Sequence, residues 1–279
     1  MGRASNIEQY TETSRSQTCA ASVIALRKRL GLSRELLGKA LKCSAATVSR
    51  MESGAKLTAH LCVQLGNLAG DPGCWFFWEQ AGLRSTDVLR IIPNLQSRGF
   101  DQTDDIVLRL VHAGPHARVK ESDLVAIPVL PLVLGTHGEK GQNRASWTGL
   151  VPTSVIAAPR TWCPSPAQTI CFRVKGRSMM PTIPDGCVVV VDASQTDASK
   201  LHGDIVVAHN KHHGLVVSRL KNIDHVDVLV PEDQVGWSNV NVRPGWTLRG
   251  KVLWWIVSEQ KSIKKTIAPD VHRGSVRSS

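Results

Sequence analysis

Residues Arg173–Asp192 read RVKGRSMMPTIPDGCVVVVD. Two β-rich runs flank a loop that holds Gly176, Ser178, Met179, Pro181, Pro184, Asp185 and Gly186. Gly and Pro punctuate the stretch, so it reads as strand, loop, strand and not as helix. Ser178 falls just past the end of the first strand, where stiff residues would hold it in place. That is a position for a nucleophile, and a serine acts as one only when a base reaches it.

Outward from this loop the chain is β-rich from Val125 on. The runs are Val125–Leu134, Thr169–Val174, Val188–Val191, Asp204–Ala208, Gly214–Leu220, Val226–Val230 and Thr247–Val257. Turn residues separate most of them, the pattern of an all-β domain. With the serine loop, the region Val125 to Val257 resembles the LexA-like peptidase domain of self-cleaving repressors and UmuD proteins. Further matching residues are His202-Gly203-Asp204-Ile205-Val206-Val207, Ser218-Arg219-Leu220 and Gly250-Lys251-Val252.

The resemblance implies a Ser-Lys dyad, in which a lysine desolvated among apolar neighbours loses its proton and serves as base. The lysine belongs on the strand after the Gly203-Asp204 turn, before an Arg-Leu pair. In this chain that position is Ser218. A hydroxyl is no base near neutral pH. Lys221 lies three residues on, which by strand alternation points it to the other face, and Lys211 sits in the preceding loop. The reading is therefore a peptidase fold that has lost self-cleavage and keeps dimerisation, with Ser178 a vestigial nucleophile. The alternative is an active self-cleaving peptidase with Ser178 served by a displaced lysine. LexA-like repressors cut at an Ala-Gly bond, which makes Ala113-Gly114 a candidate cleavage site.

The N-terminal part changes character. Val23, Ile24, Leu26 and Leu30 recur at helical spacing until Gly31. Ser33 reads as the N-cap of a second short helix carrying Leu36, Leu37, Ala40 and Leu41. After the turn Lys42-Cys43-Ser44, a third helix runs from Ala45 to Glu52 and stops at Gly54. Two short helices joined by a tight turn form a helix-turn-helix arrangement. Leu26-Arg27, Leu32-Ser33, Leu36, Val48-Ser49-Arg50 and Glu52-Ser53-Gly54 make Val23 to Ala69 similar to the Xre/Cro family of repressors. The resemblance implies a recognition helix in the major groove of an operator, presenting Ser44, Ala45, Ala46, Thr47 and Ser49, with Arg50 one turn on. Arg34 would sit near a phosphate or a flanking base. Two alanines can touch thymine methyls but cannot hydrogen-bond, so base readout rests on Thr47, Ser49 and Arg50.

Leu57 to Leu68 reads as a further helix, and the aromatic run Cys74-Trp75-Phe76-Phe77-Trp78 as a core helix or a self-pairing patch. The expected organisation is multidomain: an all-α helix-turn-helix domain over 18–83, a linker with weak helices over 84–123, an all-β LexA-like domain over 124–258, and a polar tail over 259–279. Trp254 and Trp255 fit either a subunit contact or burial within one subunit.

The bulk properties agree with this. A net charge of +11 in 279 residues favours an anionic partner, here double-stranded DNA. Seven cysteines without a C-x-x-C pair read as reduced thiols. His202, His209, His212 and His213 lack zinc-like spacing and read as exposed loop histidines; no metal or cofactor is expected. Without a signal peptide or a membrane span, the expected setting is cytoplasmic, in a bacterial or phage-encoded homodimer, with an inducing ligand or protein left open.

Overall fold

The computed structural model describes residues 18–70, 72–91, 108–111, 123–136, 141–143, 146–233 and 237–257. Six helices precede the first described strand: α1 over residues 18–29, α2 Arg34–Ala40, α3 Ala45–Glu52, α4 Ala59–Ala69, α5 Gly73–Gln80 and α6 Ser85–Ile91. Hydroxyl caps start three of them. Ser33 accepts from the Leu36 amide, Ser44 from Thr47 and Thr58 from Leu61, each satisfying an amide the helix leaves unpaired. The Thr58 cap also explains why α4 starts two residues later than its leucine spacing predicts.

α2 and α3 close on each other through Gly38. A Cβ there would lie 2.8 Å from the Cys43 carbonyl oxygen, so the tight turn needs a glycine. Lys42 takes a left-handed φ of 51° to complete that turn. Val23, Leu26, Leu37, Leu41, Val48 and Leu65 fill the core between these helices. Glu52 lies at the end of α3 with its side chain only 3% exposed, and it receives Arg27 Nε at 2.5 Å and Arg34 Nε at 2.7 Å. The aromatic run is a core helix: Phe77 and Trp78 are buried, and Trp75–Trp78 and Phe76–Phe77 meet edge to face.

Ten strands follow: β1 Leu108–Leu110, β2 Leu124–Gly135, β3 Ser154–Pro159, β4 Thr169–Lys175, β5 Val188–Asp192, β6 Ile205–Asn210, β7 Gly214–Ile223, β8 Val226–Val230, β9 Val240–Asn241 and β10 Trp246–Ile256. Their order is β1-β3-β2-β4-β5-β10-β6-β7-β8-β9, and β2 also pairs with β7. That last pairing closes six strands, β2-β4-β5-β10-β6-β7, into a ring. Alternate residues then line one interior: Leu130, Phe172, Val174, Val189, Val207 and Val217 share one cluster. The shift of β2 from antiparallel pairing with β3 to parallel pairing with β4 falls between Val129 and Val133, where Pro131 has no amide to donate.

The region read as a linker contributes to the fold. Its first weak amphipathic segment supplies α6. The second, over 104–111, is extended where described, as β1 paired in parallel with β3. No described helix is long and apolar enough to cross a membrane.

Candidate functional site

Ser178 sits in the loop between β4 and β5, which the backbone pins at several points. Gly176, at φ +114°, donates its amide to Asp185 Oδ1 at 2.8 Å, and the Gly186 amide reaches the Val174 carbonyl at 3.0 Å. Met179 and Ile183, both fully buried, point the loop into the ring interior. Ser178 itself is 0% exposed. The segment after β8 crosses it: the Asp233 amide donates to the Ser178 carbonyl at 2.9 Å, and Arg219 Nε holds the neighbouring Glu232 at 2.5 Å.

Ser218 occupies the middle of β7, opposite Val206 on β6, and is also 0% exposed. Its hydroxyl donates to the Val230 carbonyl at 3.0 Å. Ser178 and Ser218 are thus both tied to the stretch Val230–Asp233. The buried polar side chains among the described residues are Thr136, Thr169, Ser178, Asp192, Asn210 and Ser218, with no lysine among them. Lys211 and Lys221 are exposed, and Lys251 pairs with Asp204 at 2.8 Å.

Between the strand that leads to Ser178 and the strand that carries Ser218 lies this chain's own segment. Gly135 registers with Lys175 on β4 and with Val216 on β7. The chain then returns alongside itself: the Gln142 amide donates to the Val133 carbonyl at 3.2 Å, and Gly141 to His213 at 3.1 Å. Gly141 fits so closely that an added Cβ would lie 1.7 Å from the Leu215 carbonyl oxygen. Thr136 is fully buried, and its hydroxyl finds no hydrogen-bond partner among the described residues. This insertion was not foreseen from the sequence, where only the glycines at 135 and 141 mark it. Ala113-Gly114 lies outside the described residues.

A closed β-ring, a serine loop plugging its end and a paired strand carrying position 218 now stand together, and residues 138–253 match the family described as Peptidase S24-like. The C-terminal region carries a Peptidase S24-like domain. That family includes LexA-like repressors and phage repressors. No curated protein matches the chain.

Several ionisable groups of the S24-like domain are moved from their ordinary values by burial and by hydrogen bonds. His202 is paired with Asp227 at 2.7 Å, and that hydrogen bond, with a second from Asn222, holds the Asp227 carboxyl low. The expectation that all four histidines lie in exposed loops fails for His209. It stands on β6, where burial and then Arg249 lower its pKa. No cluster of metal-binding side chains is found among the described residues. All seven cysteines are free thiols, and burial pushes Cys163 up to about 12.

In the helical part, Ser44, Ala46 and Arg50 are exposed on α3, and Ala45, Thr47 and Ser49 are half-buried on its sides. Thr47 Oγ1 lies 2.9 Å from Ser44 Oγ. Arg34 is half-exposed with its Nε committed to Glu52. Of the two tryptophans near the C-terminal end of β10, Trp254 donates its indole to the Trp162 carbonyl at 3.2 Å, whereas Trp255 is 37% exposed.

Proposed function

We propose that this protein is a sequence-specific DNA-binding transcriptional repressor that dimerises through its S24-like domain and has lost Ser-Lys self-cleavage. The observation that carries the reading is that Ser44, Ala46 and Arg50 stand exposed along α3, which packs against α2 through a glycine-tight turn, in a basic chain whose residues 138–253 are S24-like. Such a helix pair enters the major groove with its second helix. Ser44, Ala45, Ala46, Thr47 and Ser49 face base edges there, Arg50 adds a cation one turn on, and Arg34 stands near the backbone while bracing Glu52.

Binding sites selected from a random duplex library test the reading. The full chain enriches one sequence, and its affinity falls steeply with salt. Arg50→Ala weakens binding to that sequence by roughly tenfold or more, in the range of one lost base or phosphate contact. Failure to enrich any sequence, with equal affinity for all duplexes, would overturn it.

Dimerisation is assigned to the outer part of β10. Residues Lys251–Ile256 pair with β5 on one side, while β6 takes only Trp246–Lys251. The edge that the described residues leave open runs beside a groove of about 580 Å³ lined by Val111, Trp162 and the stretch Leu253–Val257. An open apolar strand edge invites pairing with a second strand. Trp255→Lys is expected to shift the chain from dimer to monomer in sedimentation at micromolar concentration; an unchanged dimer would place the interface elsewhere.

Loss of self-cleavage is supported by the buried Ser218 hydroxyl where a lysine base belongs, and by the exposure of Lys211 and Lys221. The competing reading, an active peptidase, would need one of these lysines to reach Ser178.

A further inference from the structure

We propose that the helical module is seated on the S24-like domain as one body, and that this seat, closed by Arg160, sets a single permitted spacing between the two half-sites of an operator. The proposal rests on the DNA-binding dimer proposed above. A flexible tether would let each helical module find its half-site independently over a range of separations. The structure shows something else. Val63 on α4, Trp78 on α5 and Val88 on α6 share one buried cluster with Leu108 on β1, Leu124 on β2 and Val155 on β3. The core runs from helices to sheet without a break.

Polar contacts close the edges of this seat. Asn67 on α4 donates its side-chain amide to the Leu108 carbonyl at 2.9 Å, pinning the short strand β1. Arg160, just after β3, reaches Asp87 on α6 at 2.8 Å and Asp123 at the start of β2 at 3.0 Å. One guanidinium therefore ties a helix to two strands. Arg90 on α6 adds a contact to the Pro166 carbonyl at 3.3 Å.

The seat uses α4, α5 and α6, whereas Ser44, Ala46 and Arg50 on α3 stay exposed. Seating therefore leaves the reading face open. The sheet that receives the helices continues through β2, β4 and β5 to β10, the edge assigned to dimerisation. From α3 to the dimer edge the path is packed secondary structure. In such a dimer, each added base pair rotates one half-site by about 34° and moves it about 3.4 Å from the helix meant to meet it.

The test uses the full-length protein and its selected operator, with the central spacer changed by one and two base pairs. Wild type is expected to lose roughly tenfold or more in affinity for a two-base-pair change. Arg160→Met/Val88→Asp, which opens the seat, is expected to bind all spacers within about threefold of one another. Equal wild-type affinity for every spacer overturns the proposal, as does an opened variant that keeps the wild-type penalty. Should the double variant lose its helical circular dichroism, Arg160→Met alone replaces it and is expected to show a smaller spacer penalty than wild type. If no operator is selected, the DNA reading fails and the seat is judged by unfolding. One coincident transition by circular dichroism and tryptophan fluorescence supports it; two in the wild type overturn it.

Discussion

Replacing Glu52 by alanine is expected to lower the unfolding free energy by about 2–3 kcal/mol, equivalent to a fall in Tm of roughly 5–10 °C. The carboxylate is almost fully covered and is the common partner of Arg27 on α1 and Arg34 on α2, so its loss unties three helices at once. The cost stays below that of a fully buried pair because Arg34 is half exposed and regains water. The effect depends on pH with a definite sign. Burial by itself would raise the Glu52 pKa, but hydrogen bonds from Arg27 and Arg34, with their charges, more than offset it and hold the carboxyl below its ordinary range. A folded-state pKa below the unfolded one gives stability that is fully present above the unfolded value and is lost as pH falls through the folded one. Urea unfolding of both proteins from pH 7 down to pH 3 checks this. The gap between wild type and Glu52→Ala should narrow below about pH 4.3, the ordinary glutamate value. A gap that stays constant with pH would show that Glu52 acts by packing and not by charge.

What the sequence disclosed and what it withheld follow from the range of the forces involved. The serine loop, the valine-rich strands and the capped helices were readable because each carries its own local signal, either alternation, turn residues or a hydroxyl cap. β3, with the sequence SVIAAP between prolines, was missed because two alanines weaken its strand character; pairing with β2 makes it a strand. The segment before Val111 suits a helix or a strand, and β3 beside it decided the matter. The position of Ser178 in its loop was foreseen, but its burial was not. One contact to it comes from Asp233, distant in the chain and without a motif, whose amide donates to the Ser178 carbonyl. Arg160 stood out even less, since a lone arginine after a strand is ordinary until two aspartates from elsewhere are folded against it.

The serine loop and the segment wedged beside it lead to the remaining prediction: Ser218→Lys restores self-cleavage, and Ser178→Ala/Ser218→Lys does not. Position 218 is closed to water and flanked by Val217, Leu220 and, across β6, Val206. A lysine there is desolvated, so its pKa falls and the neutral amine becomes available as a base. Supplying that base is expected to raise the cleavage rate on the order of 10²–10⁴-fold over the wild type, which should stay intact. The substitution has a cost, since the hydrogen bond from Ser218 to Val230 is lost, about 1 kcal/mol, and the longer side chain must be fitted into a packed strand. Because the lysine's folded pKa is depressed, the variant is least stable at low pH and recovers as pH rises; cleavage should rise over the same range as the amine deprotonates. Intact mass identifies the bond. Gly135 registers with Lys175, three residues before Ser178, which makes Gly135–Thr136 a second candidate bond beside the Ala113–Gly114 bond to which the sequence points. Position 218 would lose its claim to be the base position if the folded Ser218→Lys chain stayed whole at pH 9. Equal cleavage in wild type and variant, abolished by Ser178→Ala, would show instead that another group activates Ser178.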